Sequence, residues 1–193
     1  MNDGKPLAVF TGRVWKFGDN IDTDLITPAD TTSFGLGDEE ERRTLRENAF
    51  RSVRPALHTQ VRPGDILVAG RNFGLGSHRE PANTALVSLG FVAVIAESVA
   101  RLFFRNSVAI GFHALQVPGI TRMVEEGDEL HVDMKVWMIR NLTNGKTAPI
   151  EPYSELVQRI IEAGGILRVL KTRVEADPRF QGKLRGAPSA GTL

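Results

Sequence analysis

Short apolar runs alternate with amphipathic stretches through the first two thirds of the chain. Residues 8–17 alternate between apolar and polar positions, which predicts a half-buried strand, and the apolar run over 65–69 predicts a buried strand. The pattern continues with a helix over 81–89, a strand over 91–96, a helix over 99–108 and a strand over 114–117. Strands that alternate with helices in this way indicate a parallel sheet in an α/β protein.

Beyond Pro118 the pattern becomes that of antiparallel strands. Residues 129–140 alternate as a strand, and residues 143–146 have the composition of a hairpin turn. Apolar residues at helical spacing predict a helix over 153–163 that ends at two glycines, Gly164 and Gly165. We therefore expect this half of the chain to be antiparallel.

Length and composition fit one folded domain followed by a tail. The chain has 193 residues, of which 41% are hydrophobic, and this is enough to bury a sizeable core without a second domain. From about Glu175 onward the sequence is rich in Gly, Pro, Ala, Arg and Lys. We expect a single domain over residues 1–173 and a disordered tail over residues 174–193.

Charge and cysteine content exclude several classes of function. A formal net charge of +1 gives no electrostatic reason to expect a nucleic acid or an anionic membrane as partner. The chain has no cysteine, which excludes disulfides, a thiolate nucleophile and thiolate ligands for zinc or an iron–sulfur cluster. The N-terminus lacks the apolar core of a signal peptide and no apolar run is long enough to span a bilayer, so we expect a cytoplasmic protein.

The glycine-rich segment 70–80 is the most informative part of the sequence. It follows a predicted buried strand and precedes a predicted helix. The backbone N–H groups of such a turn, the N-terminus of the helix, the Ser77 hydroxyl and the Arg79 guanidinium together suit an anion. A positive charge at a helix start is unfavourable beside the macrodipole, so Arg79 itself argues for a bound anion.

Ser77 also fits a purely structural role. It matches the N-cap of the following helix, with Glu80 completing a capping box. Pro81 argues against this interpretation, because proline suits the first helical position and removes a hydrogen-bond donor at the fourth. A helix that begins at Pro81 would leave Ser77 in the loop, where its hydroxyl is available for chemistry.

A dinucleotide site of the Rossmann type is an alternative interpretation of the same loop. Gly74 and Gly76 follow a strand, and the acidic Glu97 ends the next strand about 20 residues further on, where a ribose-binding acid would lie. Arg79 occupies the place of the third glycine, where a side chain would obstruct close packing of helix and strand. Two glycines alone are a weak signal for this function.

Segments spread over nearly the whole chain resemble the small subunit of 3-isopropylmalate dehydratase and related aconitase-type hydro-lyases. They cover residues 18–28, 72–80, 94–106 and 164–167. The resemblance implies a swivelling β/β/α domain like the aconitase C-terminal domain, an α/β fold with a mixed sheet or partly closed barrel and flanking helices. It also implies a separate large subunit that carries a [4Fe–4S] cluster, in a heterodimer or heterotetramer, with no metal or cofactor bound by this chain.

The resemblance assigns roles to individual residues. Ser77 would be the base that removes the proton next to a substrate carboxylate, and Arg79 would bind that carboxylate with two parallel hydrogen bonds. Asp24 would orient an acid–base residue of the large subunit; without the resemblance, an Asx turn or a solvated carboxylate is an equally good interpretation. The residues that would shape the loop are Asn72, Gly74 and Gly76.

Two departures from the family pattern concern the substrate. His78 stands where the family often has serine, beside the substrate or simply in solvent. The polar stretch after residue 30, predicted to be a mobile loop that runs into a solvated helix, lacks the usual Tyr-Leu pair. Its Phe34 and Leu36 would contact an alkyl group of the substrate. Arg42 or Arg43 would instead bind a second carboxylate, unless both belong to the solvated helix face.

The expected activity is the dehydration and rehydration of a hydroxy dicarboxylic acid, as in the isomerisation of 2-isopropylmalate and 3-isopropylmalate in leucine biosynthesis. This hydro-lyase (dehydratase and isomerase) would be active only with its large subunit. Related hydratases for a methyl-substituted malate or for homoaconitate are alternatives. A non-catalytic binding module that keeps the fold, and the Rossmann-like nucleotide binder, are alternatives of other classes.

Overall fold

The computed structural model describes residues 6–31, 39–77, 81–177 and 179. The strands in these residues are β1 (Val9–Lys16), β2 (Ile66–Ala69), β3 (Ala93–Ala96), β4 (His113–Gln116), β5 (Glu129–Asp133), β6 (Met138–Asn141) and β7 (Thr147–Pro149). The helices are α1 (Thr23–Ile26), α2 (Glu39–Asn48), α3 (Pro81–Leu89), α4 (Arg101–Ile110), α5 (Ile120–Met123), α6 (Glu155–Glu162) and α7 (Ile166–Ala176). None of these described helices is long and apolar enough to cross a membrane.

All strands in the described residues belong to one mixed sheet in the order β4-β3-β2-β1-β5-β6-β7. The pairs β1–β2, β2–β3 and β3–β4 are parallel, while β1–β5, β5–β6 and β6–β7 are antiparallel. The N-terminal part of β1 pairs with β5, and its C-terminal part, from Val14 to Lys16, pairs with β2. The predicted α/β fold with a mixed sheet and flanking helices is confirmed.

The sheet has a hydrophobic core on each face, because alternate residues of its central strands point in opposite directions. On one face the strands pack with α3, α4 and the glycine loop, through Leu67, Ala69, Val94, Ala96, Leu86, Phe73 and Phe103. On the other face they pack with α5, β5 and β6, through Ile66, Val68, Ile95, Leu115, Ile120, Leu130 and Ile139. Strands β2 and β3 are buried on both faces, which explains their continuous apolar sequence.

The sheet curls, so that strands far apart in its order come into contact. Strand β4 is at one edge and β1 is three positions away, yet the rings of Phe10 in β1 and His113 in β4 lie 5.7 Å apart and stacked. The Nε2 atom of His113 also lies 3.1 Å from the carbonyl oxygen of Leu7. The core on this face is therefore enclosed by the sheet itself.

The segment predicted as one strand over 129–140 forms two strands joined by a turn at residues 134–137. Asp133 starts this turn, because its Oδ1 accepts hydrogen bonds from the N–H groups of Lys135 (2.8 Å) and Val136 (3.4 Å). Trp137 ends the turn in a left-handed conformation with φ of +55°. The alternation of apolar and polar residues continues through the turn and conceals it in the sequence.

The C-terminal part of the chain is more helical than predicted above. Gly164 and Gly165 end α6 with positive φ angles, as predicted, and α7 follows at once. Helix α7 has apolar residues at helical spacing, Ile166, Val169, Leu170 and Val174, although none of them is fully buried. It ends at Ala176, beyond the domain boundary expected at residue 173, and residues 180–193 of the expected tail lie outside the described residues.

Candidate active site

Two loops lie side by side at the carboxyl ends of the adjacent parallel strands β1 and β2. The first covers residues 17–22 and leads into α1; the second is the glycine loop, residues 70–77. Three backbone hydrogen bonds join them: Gly70 N–H to Gly18 O (3.0 Å), Asn20 N–H to Arg71 O (2.7 Å) and Gly74 N–H to Ile21 O (2.7 Å). A fourth joins the start of α1 to the glycine loop, from Thr23 N–H to Leu75 O (2.9 Å). Each loop therefore supports the conformation of the other.

Side chains of the first loop strengthen this pairing. Asn72, in a left-handed conformation with φ of +59°, donates through Nδ2 to Oδ1 of Asn20 at 2.8 Å. The Oδ1 atom of Asp19 accepts a hydrogen bond from Arg71 N–H at 2.7 Å. A Cβ atom at Gly70 would overlap the Asp19 carboxylate, so only glycine fits at that position. The loop takes its shape from contacts to the other loop as well as from its glycines.

Gly74 and Gly76 are required for two different reasons. Gly74 has a φ of +74°, and a Cβ atom there would overlap the buried Phe103 ring of α4. Gly76 has a φ of +103°, and its Cβ atom would lie 3.0 Å from the Oγ1 atom of Thr23. Both glycines let the loop backbone approach its neighbours closely.

Ser77 lies next to the segment that contains Asp24, although 54 residues separate Ser77 from Thr23 in the sequence. The Ser77 N–H donates to Oγ1 of Thr23 at 2.9 Å. Ser77 is half-buried, Thr23 is buried, and Asp24 is exposed in the first turn of α1. The structure thus places Ser77 beside Thr23, the residue directly before Asp24, and the sequence patterns did not single out this threonine. The position of Thr23 directly before Asp24 was the available signal.

The capping interaction of α1 belongs to Asp22 rather than to Asp24. The Oδ1 atom of Asp22 accepts a hydrogen bond from Leu25 N–H at 2.7 Å, and Asp22 is the N-cap of α1. Asp22 is thus the side chain that caps α1. Asp24, two residues further along, is exposed in the first turn of α1.

Most N–H groups of the glycine loop are engaged within the chain. Those of Gly70, Gly74 and Ser77 bond to the first loop and α1, as given above; Asn72 and Phe73 N–H bond to Oγ and O of Ser98 at 2.8 and 3.0 Å. Leu75 N–H has no hydrogen bond among the described residues. Within the described part of the chain, Gly76 N–H has no such hydrogen bond.

The part of the chain that contains the glycine loop matches a known protein family. A family model described as the aconitase C-terminal domain matches residues 35–119. The chain is 43% identical over 166 residues to a 3-isopropylmalate dehydratase small subunit from Thermodesulfovibrio yellowstonii, covering 86% of this chain and 96% of that protein. The chain belongs to the family of 3-isopropylmalate dehydratase small subunits.

Two further family members extend this comparison. The small subunit of a methanogen homoaconitase from Methanothermobacter thermautotrophicus is 42% identical over 177 residues, covering 88% of this chain and 98% of that protein. A crystal structure of 3-isopropylmalate dehydratase from Methanocaldococcus jannaschii superposes with a TM-score of 0.78 at 31% identity, covering 92% of this chain and 99% of that one. The fold is therefore that of the swivelling domain of this family.

Other residues that the family pattern singles out are only partly described. Helix α3 begins at Pro81, as its sequence predicted, and the Thr27 hydroxyl donates to the Pro81 carbonyl at 3.4 Å. This contact fixes the start of α3 against the end of α1. His78, Arg79 and Glu80 lie outside the described residues, as do Phe34 and Leu36.

The arginines considered as ligands for a second carboxylate lie on α2. Arg43 forms an ion pair with Glu40 at 3.7 Å, and both side chains are exposed. Arg42 is also exposed. The charge run is therefore the solvated helix face that was one of its two interpretations, at least for Arg43.

Glu97, the acidic residue that the nucleotide-binding interpretation requires, has a structural role. The Glu97 carboxylate accepts hydrogen bonds from Gly119 N–H, from Thr121 N–H at 3.0 Å and from the Thr121 hydroxyl, and so caps the start of α5. Burial acts to raise the pKa of Glu97, but these hydrogen bonds outweigh it and hold the pKa below its ordinary value. A carboxylate that caps a helix in this way is not available to a ribose, and the family model gives no support to a nucleotide site.

The chemistry of an iron–sulfur cluster does not fit the residues of this chain. Such clusters are held by thiolates, and the sequence contains no cysteine. Within residues 6–31, 39–77, 81–177 and 179, no group of three or more His, Asp or Glu side chains lies close enough together to hold a metal ion. This chain by itself therefore supplies no thiolate ligand for such a cluster.

Proposed function

We propose that this chain is the small subunit of a two-chain hydro-lyase that interconverts 2-isopropylmalate and 3-isopropylmalate, a step of leucine biosynthesis. In this reaction water leaves across one carbon–carbon bond and returns with the opposite orientation. The observation that carries the proposal is the hydrogen bond between Ser77 N–H and Thr23 Oγ1, which holds the serine beside the Asp24 segment. Membership of the family supports the reaction class.

Ser77 is the proposed base that removes the proton from the carbon next to a substrate carboxylate. A serine hydroxyl is a weak base in water, so the site has to stabilise the alkoxide. Gly76 N–H, which has no hydrogen bond within the described residues, is one donor for this purpose. Arg79 is the proposed ligand of the substrate carboxylate, because a guanidinium group gives two parallel charge-assisted hydrogen bonds.

Asp24 and the loop residues support this chemistry without touching the reacting atoms. The exposed Asp24 carboxylate is the proposed partner of an acid–base residue of the large subunit, which it would orient by a hydrogen bond. Asn72, Gly74 and Gly76 hold the loop in the conformation described above. In this proposal the chain itself provides proton removal and carboxylate binding, and a cluster held by the large subunit would supply Lewis acidity toward the substrate hydroxyl.

The proposal predicts that the chain is folded but inactive until it is combined with its large subunit. Turnover of 2-isopropylmalate and 3-isopropylmalate would be measured anaerobically with the small chain alone, the large chain alone and both together. Ser77→Ala should lower kcat of the complex by at least about 10²-fold, because general bases contribute that much, while substrate still binds. Activity of the small chain alone would refute the two-chain mechanism.

Ser88→Ala is the matched control for this substitution. Ser88 lies in α3 away from the glycine loop and is part-exposed, so removal of its hydroxyl should leave kcat and KM unchanged. If Ser77→Ala behaves like Ser88→Ala, the Ser77 hydroxyl is not the base. Assembly with the large subunit, followed by size-exclusion chromatography, separates loss of chemistry from loss of the complex.

Homoaconitate is the second candidate substrate, because a homoaconitase small subunit is nearly as similar to the chain as a 3-isopropylmalate dehydratase small subunit. The values of kcat/KM for isopropylmalate, homoaconitate and methyl-substituted malates distinguish the candidate substrates. This measurement applies whether the two subunits form a heterodimer or a heterotetramer. Phe34, Leu36 and His78 are the proposed contacts that select the substrate side chain. An alkyl-selective site should lose preference, not folding, when Phe34 and Leu36 are replaced by alanine.

A further inference from the structure

A cavity of about 370 Å³ lies on the outer side of β4, between α4 and the segment that leads into α6. Its apolar part includes Val99, Phe104 and Val157, and Tyr153 forms one wall. The Tyr153 hydroxyl donates to the carbonyl oxygen of Ala114 at 3.0 Å, and its ring lies 5.8 Å from that of Phe104. The wall is therefore fixed in place, and the volume falls within the usual range of small-molecule sites.

Two opposite charges line the same cavity without neutralising each other. Arg101 is the first residue of α4, and Glu151 belongs to the segment before α6. Both side chains are exposed, and neither has a hydrogen-bond or ion-pair partner among the described residues. Because Arg101 lies at the positive end of the α4 macrodipole, a negative group bound to it would be favoured by the helix as well as by the guanidinium.

We infer that this cavity binds a small aliphatic zwitterion, an α-amino acid with a branched or linear alkyl side chain. Its carboxylate would pair with Arg101, its ammonium group with Glu151, and its alkyl group would pack on Val99, Phe104 and Val157. A ligand with only a carboxylate would have its negative charge near the unpaired negative charge of Glu151. A ligand with only an ammonium group would have its positive charge near the unpaired positive charge of Arg101. The combination of both charges with an apolar floor is what selects the zwitterion.

The cavity is separated from the glycine loop by a single segment of chain. Val99 N–H donates to Oε1 of Gln116, another residue of the cavity, at 3.3 Å. The backbone on either side of Val99 pairs with Phe73 in the glycine loop, through Phe73 N–H to Ser98 O at 3.0 Å and Ala100 N–H to Phe73 O at 2.8 Å. A ligand in the cavity would thus contact Val99, whose two neighbours in sequence bond to the glycine loop. None of the ligand's proposed contacts is a residue of the proposed catalytic site.

Calorimetric titration of the full chain with L-leucine and three partial analogues tests the inference. The analogues are 4-methylpentanoate, which lacks the ammonium group, 3-methylbutylamine, which lacks the carboxylate, and glycine, which lacks the alkyl group. L-leucine should bind with saturation at one site, and each analogue should bind at least about tenfold more weakly. No saturable binding of L-leucine at millimolar concentration would overturn the inference, as would equally tight binding of 4-methylpentanoate.

Three variants assign the site. Arg101→Gln and Glu151→Gln should each weaken L-leucine binding at least about tenfold, since each removes one charged partner. Arg105→Gln is the matched control: Arg105 lies one turn further along α4, is exposed, has no partner in the described part of the chain and does not line the cavity. Equal affinity of all three variants would place any binding elsewhere.

A titration with 3-isopropylmalate separates this site from the proposed substrate site. If 3-isopropylmalate binds and Arg101→Gln weakens that binding, the cavity accepts carboxylates that have no ammonium group. This result would overturn the inference. Because the experiment measures binding to the chain without turnover, a failure here leaves the proposed function unaffected, and a failure of the proposed function leaves this result unaffected.

Discussion

Thr23 shows how one buried hydroxyl joins the two halves of the candidate site. Its Oγ1 atom accepts the Ser77 N–H, its own N–H bonds to Leu75 O, and a Cβ atom at Gly76 would lie only 3.0 Å from the hydroxyl oxygen. Thr23 does not need to touch the substrate. It fixes the backbone of Ser77 relative to α1, and thus relative to Asp24.

We predict that Thr23→Val lowers kcat of the assembled enzyme about tenfold or more with a smaller change in KM. Valine has nearly the same shape but cannot accept the Ser77 N–H, so the serine loses its fixed position while the site keeps its volume. The unpaired N–H should also lower the free energy of unfolding by about 1–2 kcal/mol. Steady-state kinetics and urea unfolding measure the two effects.

Thr23→Ser is the conservative control, because it keeps the hydroxyl and removes only a methyl group. It should restore most of kcat, although its greater rotational freedom makes the hydrogen bond less fixed. If Thr23→Val retains the kcat of the unchanged enzyme, the hydrogen bond to Ser77 has no role in positioning the base.

The glycine loop and the turn between β6 and β7 contain glycines of nearly the same conformation in different surroundings. Gly74 has a φ of +74° and Gly145 a φ of +77°. A Cβ atom at Gly74 would overlap the buried Phe103 ring, whereas nothing lies within 4 Å of one at Gly145. Substitution of Gly74 and of Gly145 therefore separates the free-energy cost of a side chain in the left-handed conformation from the cost of its steric overlap with neighbouring atoms.

We predict that Gly145→Ala lowers the free energy of unfolding by about 1 kcal/mol, the cost of a side chain in the left-handed region. Gly74→Ala should lower the free energy of unfolding by about 1–3 kcal/mol more than Gly145→Ala does, because the Phe103 ring of α4 is packed in the hydrophobic core against the loop. Urea unfolding of both variants measures the difference. Gly74→Ala should also reduce activity of the complex, since the loop must move to admit the methyl group. Equal destabilisation by the two variants would show that the loop yields without cost.

At the scale of the whole molecule, His113 joins parts of the chain that are distant in sequence. It starts β4, stacks on Phe10 of β1 and lies parallel to the Tyr153 ring, with centroids 6.4 Å apart. Its side chain is buried, and its Nδ1 atom has no hydrogen-bond partner in the described structure. Burial lowers the pKa of His113 from 6.5 to about 4, although the hydrogen bond to Leu7 O acts in the opposite direction.

This burial predicts a loss of stability in acid. Below pH 6.5 the unfolded chain protonates His113, while the folded protein remains neutral there until the pH approaches 4. The unfolded state therefore binds more protons, and the free energy of unfolding should fall by about 2 kcal/mol between pH 7.5 and pH 5 through this residue alone. Tyr153 contributes nothing in this range, because burial raises the pKa of its hydroxyl above its ordinary value.

Urea unfolding of the unchanged protein and of His113→Gln at several pH values isolates the contribution of the histidine. Glutamine does not titrate, and it retains an N–H donor for the Leu7 carbonyl. The variant should therefore lose less stability on acidification, and carboxylates that titrate in the same range affect both proteins alike. Parallel stability curves for the two proteins would show that His113 is protonated without cost in the folded state.

Local sequence patterns determined most of the central strands and the longer helices packed on them, and the position of the glycine loop after β2. Buried strands such as β2 are continuous apolar runs, and Pro81 marks the start of α3, because these signals depend on neighbours within a few residues. The motif around Ser77 also identified the family. The turn at 134–137 was missed because its residues keep the alternation of a strand. Helix α7 was missed although Ile166, Val169, Leu170 and Val174 give it helical spacing, because the two preceding glycines were taken as the end of the helical region.

Only the tertiary structure decided what the loop's polar groups do. The parallel pairing of β1 with β2 places two loops side by side that are about fifty residues apart. Hydrogen bonds to the first loop, to α1 and to Ser98 engage most N–H groups of the glycine loop. The same pairing made Thr23 a partner of Ser77, and the packing of α5 against β3 made Glu97 a helix cap instead of a ligand. Contacts between distant segments depend on which strands become neighbours in the sheet, and a local pattern does not encode that order.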